Sequence, residues 1–156
     1  MELLLRADGR DITGQARKQL DTGHYPEASY AATGFTPDGA GGYRKVIGEQ
    51  ESSGQILAGL LPAGARLVKA FGTLSGGTLA AVARQEPERA VLFYAADDDA
   101  AGDLVADLIR TAGYEPVRVG GLDQSIRIEM YGDLHEYGAL GRVVTRAEAL
   151  KALADS

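Results

Sequence analysis

The sequence predicts an α/β domain: part of a doubly wound, mostly parallel sheet of about four strands, with helices on its faces and an irregular N-terminal third. Strand-length apolar runs alternate with helical patterns from residue 51 onward. Before that point glycines and prolines are scattered among polar residues, as in loops. The 156 residues suit one domain, with a loop-rich segment 1–50, an α/β core 51–122 and a C-terminal extension 123–156 that includes a short helix.

The core opens with a predicted helix over 53–61. Ser52 and Gln55 have the spacing of a capping box, and an apolar face follows them, formed by Ile56, Leu57, Leu60 and Leu61. The apolar run 66–71 ends at Gly72 and predicts a buried parallel strand. Ser75 is placed to cap a second helix that runs to about Arg84, with three residues facing inward: Leu79, Val82 and Ala83.

The second half of the core contains the clearest patterns. Aromatic and β-branched residues over 90–95 predict a strand in the middle of the domain. A helix over 99–112 follows, with acidic residues at its start, Gly113 after its end and apolar positions at Leu104, Val105, Leu108, Ile109 and Ala112. Pro116 indicates an edge strand over 115–119, and Thr145 with Glu148 predicts a capped C-terminal helix.

Composition limits the possible partners. The formal charge of −6 and the pI near 4.9 argue against a nucleic-acid partner. The absence of cysteine removes disulfides and thiolate chemistry, which fits a cytoplasmic protein. No apolar stretch approaches the roughly 20 residues that span a bilayer, so no membrane partner is expected. Small molecules or other proteins are the expected partners.

Two glycine-containing turns are candidate sites. Asp21-Thr22-Gly23 has the residues of an aspartic-protease loop, but polar residues precede it; a turn at the end of a strand, facing a ligand crevice, is the stronger interpretation. The segment 69–77 has a glycine-rich turn before a helix start, where amides can meet a phosphate. It lacks the Lys-Ser/Thr ending of a P-loop and is not G-x-G-x-x-G.

Other polar residues give weaker indications. The acidic run 97–99 suits metal ligands, yet capping and the helix dipole already account for it. His24 and His135 are the only histidines, which excludes a histidine-rich metal centre, and no G-x-S-x-G elbow supports a serine triad. His135 has a neighbouring carboxylate, that of Glu136, which is placed to orient the imidazole; the alternative is that the histidine makes only a surface or loop contact.

Several segments in series resemble the NADPH-dependent deazaflavin (coenzyme F-420) reductase-like family of Rossmann-type oxidoreductases. They are Leu20-Asp21-Thr22-Gly23-His24-Tyr25-Pro26, Glu51-Ser52-Ser53, Leu67-Val68-Lys69-Ala70-Phe71-Gly72-Thr73-Leu74, and the strand-helix-strand unit from Leu92 to Leu122. The resemblance covers roughly residues 12 to 142 and includes only the C-terminal half of such an enzyme. It implies a Rossmann-like fold and hydride transfer between NADPH and a deazaflavin.

The resemblance also implies where cofactors lie. In that family the strand-end loops border the nicotinamide and deazaflavin crevice, which here means Thr22, Gly23, His24, Tyr25, Ala70, Phe71, Gly72 and Thr73. His24 and Gly72 replace the asparagines usual in the family. The catalytic residues stay unassigned, because hydride transfer requires alignment of the cofactors and no obligatory acid or base.

The G-x-G-x-x-G segment with which that family grips the NADP pyrophosphate has no counterpart in this sequence. Activity of the isolated chain is therefore doubtful, and we expect a homo-oligomer or a separately encoded N-terminal half to complete it. An open edge is expected where the missing strands would dock. The alternative is a non-enzymatic ligand- or protein-binding domain that retains the fold without the catalysis.

Overall fold

The computed structural model describes the backbone of residues 2–5 and the whole of residues 34–155. A sheet of four strands has the order β1-β4-β5-β6, formed by β1 (Glu2–Leu5), β4 (Arg66–Ala70), β5 (Val91–Ala96) and β6 (Glu115–Gly120). A separate hairpin pairs β2 (Phe35–Pro37) with β3 (Tyr43–Lys45). The helices are α1 (Ser53–Leu60), α2 (Gly76–Val82), α3 (Asp99–Ala112), a 3-10 helix (Leu122–Ile128) and α4 (Arg146–Ala154).

The α/β class is confirmed, but the prediction of a mostly parallel sheet is wrong. β1 with β4 and β4 with β5 pair antiparallel, and β5 with β6 is the parallel pair. The apolar run that forms β4 was read as parallel because such runs are typical of strands covered on both faces. Covering by helices on both sides explains its burial equally well, and burial carries no information on strand direction.

β1 was not predicted, and it forms the outer strand of the sheet beside β4. Its backbone pairs with β4 in the register Leu3 with Val68 and Leu4 with Leu67. The edge of β4 is therefore covered by a strand of the same chain. A three-residue segment of leucines is too short for the alternation that identifies a strand.

β5 lies inside the sheet and β6 at its edge, as predicted. Successive side chains of β5 point to opposite faces, because strands have a period of two. Leu92 and Tyr94 join the core under α3, whereas Val91 and Phe93 join a second core with β6, the 3-10 helix and α4. All six β5 residues are buried, so the domain has helices on both sides of the sheet.

The predicted helix starts are confirmed. Ser52 caps α1, Ser75 caps α2 and Asp98 caps α3, each accepting from a backbone amide three residues ahead. Gly113 ends α3 with a φ of 100°, and Thr145 with Glu148 forms the capping box of α4. Capping depends on short-range spacing, which the sequence displays directly.

The predicted inward faces are partly wrong. Leu104 and Leu108 of α3 are 45% and 43% exposed, while Val105 and Ile109 are fully buried. Small residues take the inward positions instead, and a Cβ on Gly102 would lie 3.4 Å from Ala96. The predicted apolar face of α1 is likewise not buried, since Leu60 is 76% exposed. The close approach of helix to sheet thus selects small side chains.

The loop-rich segment contains the hairpin, which is the one correction to its predicted irregularity within residues 34–50. Asp38 holds the hairpin turn: its Oδ1 accepts hydrogen bonds from the amides of Ala40 at 2.8 Å and Gly42 at 2.9 Å. These two bonds lower the pKa of Asp38 below its ordinary value. Among the described residues, none of the helices has the length and apolar character needed to span a bilayer.

Candidate functional site

Glu129, which directly follows the 3-10 helix, is the most connected buried carboxylate of the described residues, and it is 4% exposed. Its Oε1 accepts hydrogen bonds from the hydroxyls of Ser52 at 2.9 Å and Ser53 at 2.8 Å and from the amide of Gly54 at 3.0 Å. Its Oε2 accepts from the amide of Ser53 at 3.2 Å. The carboxylate therefore sits at the N-terminus of α1, where the helix dipole favours negative charge.

Lys69 completes this arrangement from β4. Its Nζ lies 3.8 Å from Oε1 of Glu129 and donates to the Ser53 hydroxyl at 2.9 Å. The lysine side chain is 8% exposed and that of the glutamate 3%. We call Ser52, Ser53, Lys69 and Glu129 the Glu129 cluster. A buried ion pair of this kind survives only because further hydrogen bonds satisfy both charges.

The strand end 70–73 starts directly after Lys69. Ala70 and Thr73 are buried, while Phe71 and Gly72 are partly exposed. Phe71 has a φ of 60°, a left-handed conformation that non-glycine residues seldom adopt. The hydroxyl of Thr73 is buried without a hydrogen-bond partner in the described part of the chain. A Cβ on Gly72 would meet only the Ile128 carbonyl at 3.5 Å, so this glycine is not required by space.

A loop segment, 132–138, is fastened over this strand end by His135 and Glu136. The Glu136 amide donates to the Thr73 carbonyl at 3.0 Å. Its carboxylate accepts from the Ser75 amide through Oε1, and from the Thr78 hydroxyl at 2.8 Å through Oε2. The amide at the start of α2, which the sequence suggested for a phosphate, is therefore occupied by a carboxylate of the chain itself.

His135 is 3% exposed and shares a hydrogen bond with the Gly72 backbone. Its Nδ1 accepts a hydrogen bond from the Tyr137 amide at 2.9 Å, so this nitrogen carries no proton and the imidazole is neutral. Burial lowers the pKa of His135, an effect that the Glu136 carboxylate and the Gly72 bond only partly offset. The loop contact proposed for this histidine is confirmed. The Glu136 carboxylate turns toward α2.

Burial alone would raise the pKa of Glu136, but the hydrogen bonds from Ser75 and Thr78 outweigh it and lower the pKa below its ordinary value. The carboxylate is therefore ionised at neutral pH and acts as an acceptor at both oxygens.

Half of the predicted cofactor residues lie outside the described residues: Thr22, Gly23, His24 and Tyr25. The other half form the strand end, but its expected place in the sheet is wrong. Val68 pairs with Ala96 and Ala70 with Tyr94, so β4 runs opposite to β5. Its carboxyl end lies at the opposite edge from the carboxyl ends of β5 and β6, where parallel α/β sheets bind ligands.

The acidic run 97–99 serves the fold. Asp97 accepts from the Leu122 amide at 2.8 Å, Asp98 caps α3 and pairs with Arg66 at 3.3 Å, and Asp99 pairs with Arg118 at 2.7 Å. Within residues 34–155, no cluster of three or more potential metal ligands occurs. Capping and ion pairing thus account for the run in the described structure.

Sequence reasoning missed Glu129, the centre of the cluster. It follows a segment without clear periodicity, and it reaches residues 75 to 77 positions away. A lone glutamate after an apolar residue gives no signal of burial. The later part of the chain can be connected to α1 only through the three-dimensional structure.

The chain is similar to a protein of known structure. No protein-family profile matches the sequence, and no curated protein matches it. The crystal structure of the hypothetical protein SMa0349 from Sinorhizobium meliloti is similar, with a TM-score of 0.57 and 29% identity over 70% of this chain and 50% of that one. This chain thus spans about half the length of that protein, and the likeness supports the α/β architecture.

Proposed function

We propose that this chain forms the C-terminal part of an NADP- and deazaflavin-dependent oxidoreductase of the deazaflavin-reductase-like type. The observation that carries the proposal is the meeting of two resembling segments, Ser52-Ser53 and Lys69-Ala70-Phe71, at Glu129. Ser53 and Lys69 are in direct contact at 2.9 Å, and both contact the same buried carboxylate. Two of the segments that carry the resemblance thus meet in one structural unit.

In this proposal the Glu129 cluster acts on the strand end through Lys69. The Lys69 ammonium is held by the Ser53 hydroxyl and the Glu129 carboxylate. Residues 70–73 follow Lys69 directly along the backbone. Fixing this backbone would align one wall of a cofactor crevice, which is the kind of contribution that hydride transfer requires from protein. The cofactors supply the hydride chemistry.

The described residues do not fit the NADP pyrophosphate. The glycine-rich turn 72–77 is the segment that offers a strand, a turn and a helix start, and its Ser75 amide is bound by Glu136. A second anion at that amide would meet a carboxylate instead of a free donor. We therefore infer that the phosphate grip comes from other residues, in a second copy or a separately encoded half.

One observation favours a second candidate, a non-enzymatic binding domain. The polar groups around the strand end are largely satisfied by the chain itself, through the Glu129 cluster on one side and Glu136 on the other. A site whose polar groups already have partners offers few free contacts to a cofactor. Within the described residues, two buried hydroxyls are without a hydrogen-bond partner, those of Thr73 and Ser125.

NMR titration of the whole chain separates the two candidates. With oxidised deazaflavin, the proposal expects saturable amide shifts at Phe71, Gly72 and Thr73, and NADPH binding only after addition of a G-x-G-x-x-G-bearing half. Micromolar 1:1 binding of NADPH to this chain alone would contradict the inference that the residues binding the NADP pyrophosphate lie elsewhere. If deazaflavin leaves these amides unmoved while a protein partner shifts them, the non-enzymatic candidate replaces the proposal.

A further inference from the structure

A cavity of about 420 Å³ opens between the hairpin and the segment that follows the 3-10 helix. None of the strand-end residues 70–73 lines it. Three aromatic side chains from three different segments line it: Phe35 of β2, Tyr43 of β3 and Tyr131. Ile126 and Met130 add apolar surface. A volume of this size fits small ligands, which bind mainly in apolar cavities with a few polar groups.

The backbone conformation at Tyr131 and Gly132 positions one of the aromatic side chains that line the cavity. Tyr131 has a φ of 65°, which is rare for a bulky residue, and the following residue must be glycine. A Cβ on Gly132 would approach the carbonyl oxygens of Arg127 at 2.4 Å and Ile126 at 2.5 Å. The tight fold-back holds Tyr131 beside Phe35, with ring centroids 5.7 Å apart and an interplanar angle of 70°. An edge-to-face pair of this kind is a stable aromatic arrangement.

The two tyrosines remain available to a ligand. Tyr43 is 49% exposed and Tyr131 is 48% exposed, although both contribute to the cavity wall. Because about half of each tyrosine is exposed, the apolar faces of both rings contact water, and a flat aromatic molecule that stacks on them would bury those faces.

The polar lining indicates an uncharged ligand. The ammonium of Lys45 donates to the carbonyls of Glu49 and Glu51 at 2.7 and 2.8 Å, and its positive charge shares the lining with the negative charge of the Glu49 carboxylate. The charge of Glu129 is compensated by Lys69. Gln50 adds an amide that both donates and accepts hydrogen bonds. The lining therefore offers hydrogen bonds of both kinds with little uncompensated charge.

We propose that this cavity is a binding site for an uncharged aromatic molecule with an amide-like edge that donates and accepts hydrogen bonds. The proposal does not rest on the oxidoreductase assignment: it uses none of the strand-end residues, and Glu129, which belongs to both sites, serves here only as part of the polar lining. The ring covers the aromatic walls, and its polar edge meets the mixed polar lining.

The test is an NMR titration of the whole chain with two matched probes, benzamide and cyclohexanecarboxamide, which share the amide and differ in the ring. We expect benzamide to saturate with a dissociation constant in the range of about 1 to 10 mM, as for a small fragment, with shifts at Phe35, Tyr131 and Gly132. The saturated probe should bind about fivefold more weakly, because it lacks the aromatic contribution.

Two variants and one control locate the site. Tyr43→Leu and Tyr131→Leu should each weaken benzamide about fivefold, whereas Tyr137→Leu, an exposed tyrosine outside the cavity, should leave it unchanged. If Tyr131→Leu fails to fold, Tyr43→Leu on the exposed hairpin decides alone. Equal binding of both probes, an equal loss in Tyr137→Leu, shifts confined to other residues, or no saturation would each overturn the proposal.

Discussion

Two glutamates that lie seven residues apart, Glu129 and Glu136, bind the N-termini of two different helices, one in a buried position and the other in a partly exposed one. Glu129 is buried at the start of α1, with four hydrogen bonds and the Lys69 ammonium as a counter-charge. Glu136 is partly exposed at the start of α2, with Ser75 and Thr78 as donors. This chain thus satisfies the free amides at these two helix starts with its own carboxylates, which leaves no free amide there for a phosphate.

The largest expected effect follows from the difference in burial. Glu129→Gln keeps the shape of the side chain but leaves Lys69 without its carboxylate in a buried position. We expect the free energy of unfolding to fall by about 3–5 kcal/mol, as when one partner of a buried pair is removed. Urea unfolding followed by circular dichroism measures it. Glu49→Gln, an exposed control, should change stability by less than about 0.5 kcal/mol.

Glu136→Ala should have a smaller effect. It removes the acceptor of the Ser75 amide and of the Thr78 hydroxyl, yet water can reach this partly exposed position. A loss of about 1–2 kcal/mol is expected, near the lower part of the range for an unmade hydrogen bond. The same urea experiment, with exposed Glu88→Ala as the control, measures it. A loss as large as that of Glu129→Gln would remove the distinction between the two carboxylates.

Because of His135, the free energy of unfolding depends on pH. Its pKa in the folded chain is lowered from 6.5, so as the pH falls below 6.5 the unfolded chain takes up the proton more readily than the folded one. Stability contributed by the neutral ring is thus present above pH 6.5 and is lost below it, at up to about 1.4 kcal/mol per pH unit. Unfolding measured from pH 8 to 5 should show a shallower slope in His135→Asn. An identical slope would contradict the assignment to this residue.

Glu148 is a third carboxylate at a helix N-terminus, the exposed start of α4. The hydrogen bond from Arg142, followed by that from the Thr145 amide, lowers the pKa of Glu148 to about 2. Arg142→Gln should move the pKa back toward 4.5, with almost no change in stability at neutral pH, since exposed ion pairs contribute little. Carboxyl-detected NMR titration checks this. An unchanged pKa would show that Thr145 alone is responsible.

The sequence predicted what depends on local spacing and missed what depends on long-range contact. The caps Ser52, Ser75 and Thr145 and the bounds of α3 follow from patterns within a few residues. The antiparallel direction of β4 and the pairing of β1 do not, because an apolar run specifies burial and leaves direction open. Of the candidate site, the sequence names Ala70 to Thr73, whose role in cofactor binding stays a prediction, whereas Glu129 and the contacts of Glu136 depend on the three-dimensional fold.

A double-mutant cycle on Lys69→Met and Glu129→Gln tests most directly whether the two resembling segments form one unit around Glu129. Both side chains are buried and share Ser53 as a partner, so the effects of the two substitutions should not add. The account predicts an interaction energy of about 1–3 kcal/mol in unfolding experiments, with the double variant more stable than the sum of losses implies. Additive losses, within about 0.3 kcal/mol, would contradict it.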